Sequence, residues 1–271
     1  MNKYDAIRLG SFFAAFIVMA VWEFVLPRRI RTIRRTDRWF SNLVILALNP
    51  ISVRLLFPII PVNMALLARE HGWGLLNNVT LPDWVSVVIG VVALDFTIYI
   101  QHVLFHAIPT LWRLHMMHHA DMDIDVTTGL RFHPIEIVLS MALKLGAISA
   151  LGPPVLAVLL FEVFLNAIAM FNHGNAYLPV NVDRVLRLFV VTPDMHRVHH
   201  SVIIEETNSN FGFNHPWWDR LMGTYRDQPV KGHEGMAIGL SQFREPKRQS
   251  LPWLLALPFV GDPGSQPINR H

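Results

Sequence analysis

Eight of the chain's fourteen histidines fall into three tight clusters. His102 and His106 form HxxxH, His115, His118 and His119 form HxxHH, and His196, His199 and His200 form a second HxxHH. His133 and His173 lie between the clusters. Neutral imidazole offers a lone pair near physiological pH, which makes histidine the commonest metal ligand. Positions i, i+3 and i+4 share a helix face, so each cluster can direct two or three imidazoles at a common point. One ion takes roughly four to six ligands, so this many imidazoles point to two ions. Imidazole suits iron, zinc, copper and nickel. The chain has no cysteine, which excludes thiolate sites, disulfides and cysteine catalysis and leaves di-iron or di-zinc as the leading choices.

The elements that must position these residues read as membrane spans. Of 271 residues, 52% are hydrophobic and only 16% charged, and the mean hydropathy is +0.35. A soluble domain is about a quarter charged. The formal charge of +3 and the lack of basic residues interleaved with aromatics give no sign of a nucleic-acid partner. Leu9 to Leu26 is apolar apart from Glu23, carries no cleavage site and is close to bilayer length. The sequence RRIRTIRRTDR follows from Arg28 to Arg38 and marks the cytoplasmic side, with the N-terminus outside. A second span, Phe40 to Leu67, is interrupted by Pro50, Pro58 and Pro61 and reads as one kinked helix or two pieces. The nearly neutral loop from Arg69 to Pro82, with His71, suits the opposite side. A third span runs from Trp84 towards Ile108 and turns polar at Asp95, Gln101, His102 and His106.

The apolar stretch from Ile135 to Phe171 would be about 55 Å long as one helix, well beyond a bilayer core. Gly152-Pro153-Pro154 divides it at the middle, so it reads as a helical hairpin. Such a hairpin returns His173 and the last cluster to the side of the first two. Leu251 to Val260 is too short to span and suits the interface. The expected class is thus all-α: a polytopic helical membrane protein with a histidine-rich di-metal lobe on the cytoplasmic side. Residues 1–80 form the N-terminal spans and basic loop, 81–230 the catalytic part and 231–271 a tail with the interfacial segment.

Carboxylates and amides inside spans are costly and usually paired or functional. Asp95 lies seven residues before His102 and is a candidate acceptor for a ligand N–H, which would orient that ring. Glu162 and Asn166 are one turn apart, with Asn166 seven residues before His173, and could form a similar polar face. Asn175 is a further candidate, and Asp194 and Asp219 are weaker ones. His71, His215, His233 and His271 are isolated and are left out of the site.

The ordered text HVLFH, LWRLHMMHHADMDIDVTTGLRFHPIE, FNHGN, TPDMHRVHHS and NFGFNHPWWDRLMGTY resembles the fatty acid hydroxylase/sterol desaturase superfamily, from about Trp84 to Arg226. The resemblance implies a non-haem di-iron centre, in which zinc can substitute. Such a centre activates O₂ and hydroxylates or desaturates an unactivated C–H bond of a membrane lipid. It implies that His102, His106, His115, His118, His119, His196, His199 and His200 are ligands, with His133 and His173 at the intervening positions. His215 stands where that pattern has an apolar residue, and Trp217 to Tyr225 matches a closing signature read as a cap over the metal lobe. Because no GxGxxG fingerprint is present, electrons must come from a separate redox protein. A bacterial inner membrane is the expected location. Two other classes stay open on the residues alone: a di-zinc lipid hydrolase, which needs a general base such as Glu162 by the metal, and a non-enzymatic metal-binding membrane protein.

His199→Ala is expected to abolish metal loading and activity, whereas His71→Ala leaves both intact. Full metal occupancy in purified His199→Ala would overturn the reading of the third cluster.

Overall fold

The computed structural model describes residues 3–265 and Ile268. His271, set aside above, lies outside them. The chain forms α1 (Lys3–Val25), α2 (Arg35–Leu56), α3 (Pro61–Glu70), α4 (Asp83–Ala107), α5 (Pro109–His119), α6 (Pro134–Leu151) and α7 (Val155–Asn172). Shorter helices follow: α8 (Val180–Leu186), α9 (Pro193–His199), α10 (Ile204–Thr207), α11 (Trp217–Met222), α12 (Gly232–Gly235) and α13 (Leu251–Val260). Extended pairing among the described residues is limited to the isolated bridges Pro27–Ala176 and Ser201–Ile238, so the all-α class holds. Among the described residues five segments are long and apolar enough to cross a membrane: α1, the α2–α3 unit, α4, α6 and α7.

The second span is two pieces. The helix continues through Pro50, ends at Leu56, and restarts at Pro61. Pro50 deprives the Leu46 carbonyl of its helical donor. Leu46 and Pro50 both line a cavity.

The hairpin forms where Gly152 adopts φ 63°, a left-handed cap whose N–H bonds to Ile148 O. A Cβ there would come within 2.5 Å of Trp73 O. The loop after α3, with His71, therefore sits at the hairpin tip. His133 and His173 flank the hairpin at its other end. Within the bundle α7 packs on α1 and α4, and α6 on α2 and α3. Val62, Leu94, Ile98, Ile148, Val158 and Phe161 form the shared core. The C-terminal α13 packs on α5: Leu254 and Leu257 join Trp112, Met116 and Ile45 in a second core. Phe259 and Val260 stay exposed.

The basic linker is built into the fold. Arg38, fully buried, grips the Asp121 carboxylate with Nε and Nη2 at 2.6 Å each and donates from Nη1 to Asp125 Oδ2 at 2.6 Å. Asp123 accepts from the backbone N–H of Thr32 and Ile33. Arg28 pairs with Asp194 and Glu234. At the end of α1 the buried Glu23 Oε1 accepts from Val126 N–H at 2.6 Å and Asn175 N–H at 2.9 Å. These contacts fasten the loop after His119, and the segment after His173, to the first two spans.

Removing one partner from a buried ion pair leaves an uncompensated charge and costs about 3–5 kcal/mol. Arg38→Met is therefore expected to lower the thermal midpoint of the detergent-purified protein markedly. An unchanged midpoint would show that the linker does not brace the loop.

Candidate metal centre

Four stretches of chain deliver nine buried imidazoles to one place. α4 brings His102 and His106, α5 brings His115, His118 and His119, the end of α7 brings His173, and α9 with its C-cap brings His196, His199 and His200. They divide into two groups whose ligand atoms lie within 4.8 Å of one another: His102, His106, His115, His119 and His199 in one, and His118, His173, His196 and His200 in the other.

The grouping differs from the expectation that each cluster serves a common point. A helix turns about 100° per residue, so i and i+4 nearly align while i+3 points to the side. In α5 the i, i+4 pair, His115 and His119, joins the first group and His118 the second. In α9 the assignment reverses: His196 and His200 join the second group and His199 the first. Each HxxHH thus contributes to both groups.

Hydrogen bonds decide which ring nitrogens carry lone pairs. His102 Nδ1 donates to Phe211 O and His199 Nδ1 to Ser209 O, both at 2.7 Å. His115 Nδ1 lies 2.7 Å from Glu136 Oε1, a carboxylate that accepts its proton. The Nε2 atoms of these three rings are then unprotonated. Yet His102 Nε2 lies 3.1 Å from both His115 Nε2 and His199 Nε2. Lone pairs facing each other at that distance repel unless a cation lies between them. In the second group one ring follows the same pattern, while His118 Nδ1 and His196 Nδ1 are buried without a partner. His173 Nδ1 donates to Ala169 O at 2.7 Å, and its bare Nε2 lies 3.1 Å from the Nε2 of His118 and of His196. His106 Nε2, His119 Nε2 and both nitrogens of His200 are buried without a hydrogen-bond partner. The donor set fits two ions.

Burial holds the rings neutral. It pushes His115 down to about 3 and His173 to about 4. His118, His119, His196, His199 and His200 are held well below the usual value by burial first and by neighbouring imidazoles second. Phe132 stacks on His118 at 4.4 Å, and Trp112 lies 4.9 Å from His106. On the bundle side a cavity of about 230 Å³ reaches His102 and His115.

Several expected residues sit elsewhere. His133 belongs to neither group. It caps α6, its Nδ1 accepting from Ile135 N–H, and its Nε2 meets Leu255 O at 3.2 Å, so both ring nitrogens are engaged. Asp95 touches no imidazole; its Oδ2 accepts from Trp218 Nε1 at 2.8 Å. Seven residues bring a side chain back to the same face but about 10.5 Å along the axis. Glu162 pairs with Arg8 Nε at 3.1 Å, and Asn166 donates to Glu162 O. Asn175 exchanges two hydrogen bonds with the Arg29 backbone. Asp194 binds Arg28 and Arg197. The residues that do orient rings are Glu136, Asn208, which accepts from His106 Nδ1 at 3.1 Å, and the three carbonyls. A buried acid in the first turn of an apolar span was the one available signal for Glu136. Asp219 acts at one remove: it accepts from the N–H of Phe211 and Gly212, fixing the loop whose carbonyl holds His102. The closing signature also packs lower than a cap, with Trp218 against Phe96 of α4 at 4.6 Å.

A model of the fatty acid hydroxylase family matches residues 87–224. Ornithine lipid hydroxylase OlsE of Rhizobium tropici is 34% identical over 148 residues, covering 55% of this chain and 44% of that protein. Alkylglycerol monooxygenase of Homo sapiens is 27% identical over 171 residues, covering 61% of this chain and 36% of the human protein. The Xenopus tropicalis alkylglycerol monooxygenase is 27% identical over 181 residues, covering 63% of this chain and 38% of its own. The matched part of the chain spans less than half the length of each of these relatives. No solved structure matches the chain.

Losing a group that orients a ligand imidazole typically costs about 10–100-fold in metal affinity. Glu136→Ala is expected to weaken binding at the first group by that amount, and Glu136→Gln, which keeps an acceptor oxygen, by less. Competition against a chelator, read as metal retained per chain, checks this. Equal retention by wild type and Glu136→Ala would sink the role.

Proposed function

Because the chain belongs to the fatty acid hydroxylase family, we propose that it is a membrane oxidoreductase that hydroxylates a C–H bond of a membrane lipid at a two-iron centre. The observation that carries this reading is the trio of bare Nε2 atoms on His102, His115 and His199, 3.1 Å apart across His102. A purely structural histidine cluster would hydrogen-bond its rings to one another, whereas these rings give their protons to outside acceptors and keep their lone pairs facing inward.

His102, His106, His115, His119 and His199 would hold one ion, and His118, His173, His196 and His200 the other. Iron held there supplies the redox chemistry with O₂ that side chains lack. The balance is one substrate C–H bond, one O₂, two electrons and two protons giving an alcohol and water. The electrons come from a separate redox protein. The chain's own part is position and dryness. Phe211 O, Ser209 O, Ala169 O and Glu136 fix ring tautomers and orientations before any ion arrives. Phe132, Trp112 and Phe211 form an apolar wall round the imidazoles. His102 and His115 line the cavity, so a lipid chain entering from the bundle meets the first group's edge. The names of the relatives, a lipid hydroxylase and alkylglycerol monooxygenases, support hydroxylation over desaturation. Metal transport would need ligands at several depths, and these nine gather at one end of the bundle. The basic linker at that same end favours the cytoplasmic face.

Protein purified without chelator or metal-affinity tag is expected to carry one metal ion per histidine group. After ferrous loading, membrane lipid, a chemical reductant and isotopically heavy O₂ are expected to yield a lipid with one labelled oxygen. Labelled water entering the product instead, with no requirement for reductant, would replace this reading with hydrolysis.

A further inference from the structure

We propose that the cavity beneath the histidines binds the anionic end of an amphiphile, with Lys144 as its counter-charge. This rests on the lipid-substrate reading above and narrows it to carriers of a carboxylate or phosphate.

Glu136, Ser140 and Lys144 follow one another at four-residue spacing on α6, and all three line the cavity. They form one helix face. Lys144 lies about 12 Å along the axis from Glu136, whose carboxylate holds His115. The cavity thus runs from the first histidine group to a lysine inside the spans.

Among the described residues Lys144 makes no side-chain hydrogen bond and no ion pair within 4.0 Å. It makes no ion pair with Glu162 on the neighbouring α7. That carboxylate is already engaged by Arg8, at 3.1 Å from Nε and 3.3 Å from Nη2. Arg8 also faces Asp5 at 3.9 Å, nearer the end of α1. The buried Glu162 carboxylate is therefore taken up by Arg8, and Lys144 is left without a direct partner among the described residues. A charged side chain inside a span is costly unless paired, and Lys144 lines the cavity. An anion there completes the pairing.

The other end of the cavity has the opposite character. Glu136 Oε2, Gln101 Oε1 and Asn49 Oδ1 are buried without a hydrogen-bond partner, and all three residues line the cavity. These are acceptors beside His102 and His115. They suit a donor at the reacting end of the chain, such as the hydroxyl that the proposed reaction creates. An acceptor-lined end at the histidines and a cation two to three turns away fix the direction in which an anionic amphiphile lies.

The test uses full-length zinc-loaded protein in nanodiscs, so that binding is read without turnover. The probes are a radiolabelled alkyl carboxylate, alkyl phosphate and alcohol of one chain length. A hydrogen bond to a charged group contributes about 1.5–3 kcal/mol, so wild type is expected to prefer at least one anion over the alcohol by about tenfold or more. The tighter anion identifies the headgroup chemistry. Lys144→Met is expected to erase the preference while retaining metal and alcohol binding, and Lys144→Arg to keep it. Glu162→Gln, which removes a negative charge from the bundle and frees Arg8, is expected to tighten the anion. Equal affinity of wild type for all three probes would overturn the proposal. So would an anion preference surviving in Lys144→Met, or Glu162→Gln leaving anion binding unchanged. Absence of lipid oxidation would sink the reaction proposed above without touching this result.

Discussion

Repulsion between inward-facing lone pairs is the constraint around which this molecule is organised. Three Nε2 atoms in one group and a bare Nε2 with two neighbours in the other are pressed to 3.1 Å. Neutral rings reach that state only if each spare proton is drawn outward. The fold supplies the outward acceptors: the carbonyls of Phe211, Ser209 and Ala169 and the carboxylate of Glu136. Three of the four are backbone atoms, so their placement depends on loops being rigid. This gives the buried polar network its purpose. Asp219 fixes the Phe211 loop, and Arg38, Asp121 and Asp125 fix the loop that follows His119.

The spans serve the same end. An unbroken apolar run of this length would carry its two ends to opposite sides of a bilayer. Gly152, in a conformation open to glycine and closed by the Trp73 carbonyl to anything larger, returns the chain. α7 then delivers His173 beside α5 and α9, and α4 delivers His102 and His106 to the same level. The hairpin and the histidines are mutually dependent, because neither group is complete without a residue from a separate helix of the bundle.

Much of this was legible in the sequence. Histidine clusters at helical spacing announce themselves by residue type, and the Gly-Pro-Pro break announces the hairpin. The unreadable part has a physical reason. Backbone carbonyls carry no side-chain signature, so the acceptors for His102, His199 and His173 could not be named. Periodicity gives a helix face but not a distance along it: Asp95 shares a face with His102 yet meets Trp218 instead. His133 shows the limit of residue type: its nitrogens cap α6 and meet Leu255 O. The basic linker was read for its charge relative to the membrane, and charge alone does not reveal that Arg38 is buried against two aspartates.

The crossed assignment of the two HxxHH clusters has a mechanical consequence. α5 and α9 each hold histidines of both groups, so each short helix is a rigid strut between the two groups. Rotating either helix to adjust one group displaces a histidine of the other. The two histidine groups are thereby geared together: their spacing is set by helix geometry, because His118 and His119 in α5, and His196 and His199 in α9, serve opposite groups with no intervening loop between them.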